Sequence, residues 1–165
     1  DYRVTALPEV DESYPDTLSG EEIPLYISQE KAAAYRRFMK DNTLLITADT
    51  IVWLDGKVYG KPRDIADAKA MLQALSGKTH TVITGVTLTS LQKQISFTVS
   101  TEVTFAALGD DEIDYYVEKY RPLDKAGAYG VQEWIGYIGV TGLKGSYYNV
   151  MGLPIQRLYT ELKKF

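Results

Sequence analysis

Two stretches near the middle of the chain, THTVITGVTLTS (Thr79–Ser90) and QISFTVSTEVTFAAL (Gln94–Leu108), constrain the fold more than any other feature. Both are rich in β-branched residues and free of proline, so each reads as a long extended strand. Only a few polar residues around Gln92–Gln94 separate them. A connection that short closes an antiparallel hairpin and nothing else. A hairpin of that length needs further strands beside it and helices over it before its apolar residues leave water.

The rest of the chain supplies both. TLLITADTIVWL reads as a buried strand, and RDIADAKAMLQALSG is the clearest helix. Asp64 can cap that helix, its apolar stripe is Ile65, Ala68, Met71, Leu72 and Leu75, and Gly77 stops it. DDEIDYYVEKY is a second amphipathic helix, with Ile113, Tyr116, Val117 and Tyr120 on one face. A further helix is expected from Pro24 to Lys40, with Ile27, Ala34 and Phe38 on its stripe and Lys31 near its middle. Ahead of it, Asp11–Pro24 reads as a polar, turn-rich loop. After Pro122 the Gly- and Tyr-rich run to Pro154 reads as short strands and turns, and a last helix spans about Pro154 to Lys163. The expected architecture is α/β: a mixed, long-stranded sheet with flanking helices, in a single domain of 165 residues.

Composition narrows the chemistry. With no cysteine there is no disulfide or thiolate metal site, and with one histidine, His80, no histidine-rich one. The absence of cysteine fits a reducing compartment, and a cytoplasmic location is expected. His80 lies among apolar strand positions and reads as structural. A net charge of −4 offers no general basic surface to a nucleic acid polymer. No apolar run is long enough to span a membrane. A polyanionic ligand would need a local set of lysines or arginines.

One candidate set lies in TADTIVWLDGKVYGKP (Thr47–Pro62), which carries Asp49 into an apolar strand, turns at Asp55-Gly56 and brings back Lys61. A two-residue turn pairs Leu54 with Lys57 and would set Thr50 opposite Lys61. A three-residue loop pairs Trp53 with Lys57 and sets Asp49 opposite Lys61. The second register is preferred, because it leaves the small face of Ala48, Thr50, Val52, Val58 and Gly60 to pack on the core. On spacing alone, Asp49 and Lys61 read equally as an ordinary cross-strand ion pair or as a catalytic carboxylate beside a phosphate-binding cation. A second set is DKAGAYGVQ (Asp124–Gln132), where small residues would let a backbone approach a ligand closely and Gln132 offers one donor and one acceptor to a base edge. Asp124 and Lys125 could equally pair with one another.

Together, ADTIV, GKP, AMLQALSGKTHTVITGV, DKAGAYGVQ and GSYYNVMGLP resemble the Maf family of nucleoside triphosphate pyrophosphatases, from about Glu12 to Phe165. The resemblance implies a fold similar to that of the inosine triphosphate pyrophosphatases. It implies hydrolysis between the α- and β-phosphates of a nucleoside triphosphate, with Mg²⁺ or Mn²⁺. It implies that Asp49 is the proton acceptor, that Lys31 and Lys61 line the phosphate site, and that Glu12 is an acidic residue there, a metal ligand together with Asp49. Thr50 and Gln132 match positions linked to base choice. The ADT and GVQ pair looks like the branch acting on dTTP and UTP. Members are often dimeric, so a homodimer is expected. Two departures stand out. The family's S-x-S-P-R-R signature is absent, and is expected in a strand and loop ahead of Asp1. Glu133 stands where the family usually has glycine. These departures keep alternatives open: a pyrophosphatase for modified or other nucleotides, or a non-catalytic nucleotide-binding regulator of cell division.

Overall fold

The computed structural model describes residues 2–5 and 10–165. Five strands form one sheet in the order β2-β1-β3-β4-β5. They are β1 (Leu45–Leu54), β2 (Lys57–Tyr59), β3 (Thr79–Thr89), β4 (Gln94–Phe105) and β5 (Val140–Lys144). Helix α1 (Glu22–Arg36) precedes β1, α2 (Ile65–Leu75) links β2 to β3, and α3 (Asp110–Tyr120) follows β4. A 3₁₀ turn (Ala126–Ala128) and the short helices α4 (Trp134–Gly139), α5 (Tyr147–Val150) and α6 (Ile155–Leu162) complete the chain.

The α/β class is as expected. Every strand pairing among the described residues is antiparallel, rather than mixed. The long hairpin predicted from the sequence is β3 and β4, paired from Thr79 with Thr104 to Thr89 with Gln94 and closed by Ser90 N–H donating to the Lys93 carbonyl. Strand β3 is buried along nearly its whole length because helices cover both faces. On one face Val52, Leu54, Val82, Val103 and Phe105 pack under α2 and α3. On the other, Ile51 and Ile83 meet Ile23 and Ile27 of α1. The Asp64 carboxylate caps α2 by accepting the Asp67 N–H at 2.8 Å.

Three further expectations are corrected. Helix α1 starts two residues earlier than expected, since proline is accommodated in a first turn, and it ends at Arg36, leaving Phe38 exposed. The stretch after Pro122 forms one strand and several short helices rather than strands and turns; pieces of four to six residues are too short to show a period. The β1–β2 hairpin adopts the other register: Leu54 faces Lys57, Trp53 faces Val58 and Val52 faces Tyr59. Asp55 and Gly56 both take positive φ, 52° and 77°, the two-residue turn whose twist matches that of the strands. A slip of one position reverses every face. Asp49 and Lys61 are therefore not cross-strand partners.

Candidate active site

Helix α1 lies unusually close to the sheet. A Cβ at Gly85 of β3 would stand 2.5 Å from the Leu25 nitrogen and closer still to the Pro24 carbonyl, so glycine there lets the two backbones touch. Buried hydroxyls then set the register of helix on strand. Ser28 Oγ and Thr87 Oγ1 are 2.8 Å apart, and Thr47 Oγ1 donates to the Ser28 carbonyl at 2.7 Å. Thr47 and Asp49 share a strand face, and Ser28 and Lys31 share a helix face, three residues apart. The contact that joins Thr47 to Ser28 thus recurs one step on. Lys31 Nζ donates to Asp49 Oδ1 at 2.7 Å and lies 3.4 Å from the Ala48 carbonyl.

Glu12 extends this pair into a chain of alternating charges. Its carboxylate lies 3.0 Å from Lys31 Nζ and 2.9 Å from Lys61 Nζ. Burial raises the Asp49 carboxyl above the usual carboxylate range, by more than Lys31 lowers it, and the charge of Glu12 adds to the rise. For Lys31 burial disfavours the ammonium, but Asp49 and Glu12 outweigh it and hold the group above its ordinary value. The asymmetry follows from partners: Lys31 touches two carboxylates, Asp49 one ammonium. Burial also opposes the charge of Glu12, yet its two lysines bring it below its ordinary value. The Glu12–Lys61 pair is largely solvated, and such pairs contribute only ~0–1 kcal/mol. It can open at little cost when a phosphate arrives.

These groups line a cavity of about 580 Å³, with Thr50, Lys125, Tyr129 and Gln132 further along its wall. The cavity exists because β2 is short. Strand β1 pairs with β3 from Leu45 to Trp53, but with β2 only from Val52 to Leu54. Beyond Tyr59 the Gly60 carbonyl accepts the Gly127 N–H at 3.0 Å, which turns the chain away and brings Lys61 to the rim. The outer edge of β1 from Leu45 to Ile51 thus carries no strand among the described residues. Residues on both its faces reach one space, Asp49 from one side and Thr50 from the other. The Thr50 hydroxyl lies 2.8 Å from that of Thr84, which donates to the Asn149 carbonyl.

All six residues singled out from the sequence, Glu12, Lys31, Asp49, Thr50, Lys61 and Gln132, line this cavity. The partner of Asp49 is Lys31, not Lys61. Gln132 is exposed, and its side-chain amide has no partner among the described residues. Lys125 and Asp124 do pair, at 3.1 Å. Sequence reasoning missed the support beneath the Gln132 loop. His80, 2% exposed, lies 2.7 Å from the Tyr129 hydroxyl through Nε2, and its ring packs edge-on against Phe105 and Tyr129. A histidine among β-branched residues gives no local sign of a tyrosine 49 positions away.

Burial depresses the His80 imidazole to about 4, against an ordinary value of about 6.5. Between those values the unfolded chain binds a proton that the folded chain does not, so stability falls as the pH drops through this window. The full loss should be about 3 kcal/mol once the pH lies below 4. Urea unfolding between pH 7 and pH 4 checks this against His80→Gln, which should lack that component. Equal pH dependence in the two proteins would refute it.

The model of the Maf-like protein family matches residues 2–165. The chain is 67% identical over 163 residues to a dTTP/UTP pyrophosphatase of Phocaeicola vulgatus, covering 99% of this chain and 84% of that protein. It is 57% identical to one of Parabacteroides distasonis, covering 100% and 86%, and 55% identical to one of Porphyromonas gingivalis, covering 97% and 81%. No helix among the described residues is long and apolar enough to cross a membrane. From its lysine–carboxylate chain to its terminal helix, the chain belongs to the Maf-like family.

Proposed function

We propose that this protein hydrolyses dTTP and UTP between the α- and β-phosphates, giving the nucleoside monophosphate and pyrophosphate. The observation that carries the reading is the chain Lys61–Glu12–Lys31–Asp49 in the same cavity as the unpartnered Gln132 amide. Asp49 Oδ1 is held by Lys31, and Oδ2 has no partner among the described residues. That oxygen accepts the proton of a water delivered in line to a phosphorus of the α–β linkage. The new P–O bond forms as the bridging P–O bond breaks, and the two halves separate as nucleoside monophosphate and pyrophosphate. A carboxyl raised toward neutrality is a better base than an ordinary aspartate, provided it stays ionised at the working pH. Lys31 and Lys61 offset the charge that builds on the phosphates, which is most of what such a reaction requires of a protein.

Among the described residues no group of three or more histidine, cysteine or acidic side chains could hold a metal on its own. Magnesium does not need one, since it is usually held by one or two carboxylates, water and substrate phosphates. Asp49 and Glu12, which converge on Lys31, fit that role. A bound Mg²⁺ or Mn²⁺ would neutralise phosphate charge and lower the pKa of water. No arginine lines the cavity among the described residues.

At the other end, the Gln132 amide offers one donor and one acceptor. The N3–H of uracil or thymine with an adjacent carbonyl complements it. The test is pyrophosphate release over a nucleotide panel with Mg²⁺ or Mn²⁺, using protein that carries the S-x-S-P-R-R segment. dTTP and UTP should lead, and no turnover of any triphosphate would overturn the reading. Gln132→Glu removes the donor while keeping the shape. It should lower kcat/KM for UTP by about 10–100-fold and reorder the panel. An unchanged order would show that Gln132 does not read the base.

A further inference from the structure

The loop that carries Gln132 is held in a conformation a free peptide would not keep. Gly127 and Ala128 both take positive φ, 67° and 59°, and for alanine that region is unfavourable. Something must hold it there. One anchor is the Tyr129 hydroxyl on His80. A second centres on Tyr116 of α3, whose side chain is fully buried. Its hydroxyl oxygen accepts the Gly130 N–H at 3.0 Å and donates its proton to the Glu133 carboxylate.

The direction of that second bond matters. A phenol has a single proton, and because Glu133 takes it, the oxygen lone pairs are left to face Gly130. Glu133 also lies 3.6 Å from Lys125 Nζ. The two side chains close over Gly130, where a Cβ would stand 3.0 Å from both Lys125 Cε and Glu133 Cδ. Glu133 stands at the N-cap position of α4 with no capping bond from its side chain, and it is not part of the cavity wall, whereas its neighbours Gly130, Gln132 and Lys125 are. It sits behind the site and joins three of the elements that shape it.

We propose that Glu133 is a positioning residue for base recognition: through the Tyr116 hydroxyl and Lys125 it fixes the Gly130–Gln132 backbone, and so the point at which the Gln132 amide enters the cavity. The proposal rests on the reading of Gln132 as the base reader. Without the Glu133 acceptor the Tyr116 proton competes for the space facing Gly130, and the loop loses its second anchor. Ordering the loop then falls to nucleotide binding. Asp49 and Lys31, on β1 and α1, are untouched. The effect therefore falls on KM and on base choice rather than on kcat.

Glu133→Ala should raise KM for UTP about tenfold and lower the preference for UTP over CTP by a similar factor, with kcat within about twofold. Glu133→Gln keeps an oxygen for the Tyr116 proton and should restore KM to within about threefold of the unsubstituted protein. Tyr116→Phe should raise KM and weaken the base preference in the same direction, and the double variant should lose less than the sum of the two, since both remove the shared Tyr116–Glu133 bond. A Glu133→Ala protein with lower melting temperature but unchanged KM and base preference would overturn the proposal. So would a Gln variant as impaired as the Ala variant, or additive losses in the double variant. Failure of the underlying reading looks different: the unsubstituted protein turns over no triphosphate, or Gln132→Glu leaves the panel order unchanged.

Discussion

Replacing Asp49 with asparagine should lower turnover of dTTP and UTP by about 10³-fold while leaving the protein folded. The carboxamide matches the carboxylate in size and can still accept from Lys31 Nζ through its oxygen. Lys31 also keeps its contact with Glu12 at 3.0 Å, so no buried cation is left without a partner. What disappears is the capacity to take a proton from water. Burial raises the Asp49 carboxyl, so removing its charge relieves strain in the free protein rather than adding to it. The melting temperature should therefore stay within a few degrees or rise, by roughly 2–4 °C for each kcal/mol gained. Pyrophosphate release and thermal unfolding, measured on the same preparation, separate the two effects. Rates near those of the unsubstituted protein would remove Asp49 from the proposed role.

Gly85→Ala should damage stability and turnover together, although Gly85, the cross-strand neighbour of Asp49, has no side chain and does not line the cavity. The added methyl would stand against the Pro24–Leu25 backbone, which cannot rotate aside as a side chain can. Helix α1 must lift by about 1 Å to restore ordinary contact, at a cost of roughly 2–3 kcal/mol. For a chain of this length the melting temperature should fall by roughly 5–10 °C. Lys31 rides on the same helix, so its 2.7 Å contact with Asp49 lengthens too. A displacement of that size in a catalytic group can cost up to about 10²-fold in rate. Gly142→Ala in β5 is the control, because a Cβ there meets only Thr104, at 3.6 Å. Should both alanine variants melt together, the close approach of α1 would not be what the glycine serves.

The parts of this molecule that were legible in its sequence are those whose causes are local. Asp64 caps α2 because an acceptor three residues ahead of a free N–H acts within one turn. The β3–β4 hairpin follows from two β-branched runs and a short polar turn. The six cavity residues were found because chemistry and resemblance pointed to the same positions. The β1–β2 register was misread, because it depends on whether Asp55 takes a positive φ, and aspartate does so only in some turns. Glu12 was singled out without its bridging place between Lys31 and Lys61. That place joins a loop, a helix and the chain beyond a strand, and no period relates them. Tyr116 was read as a core face residue, which it is. Its hydroxyl, turned between Gly130 and Glu133, belongs to a contact between segments 14 and 17 residues away.

The shortness of β2 carries a last consequence. Continued in register, the hairpin would set Gly60 opposite Ile51, Lys61 opposite Thr50 and Pro62 opposite Asp49. Such an extension would cover the bare edge of β1 and seal the cavity. Pro62 has no N–H to give to a ladder, and Gly60 has already committed its carbonyl to Gly127. The Gly60-Lys61-Pro62 tripeptide thus acts as a terminator as well as the carrier of a lysine. Sheet and site compete for the same stretch of β1. A bare edge is ordinarily a hazard, open to pairing with another chain. Here it is walled by Lys31, Glu12 and Lys61, so the charges that would receive a phosphate also deter a foreign strand. A more complete sheet would make a sturdier protein with nowhere for a nucleotide to enter.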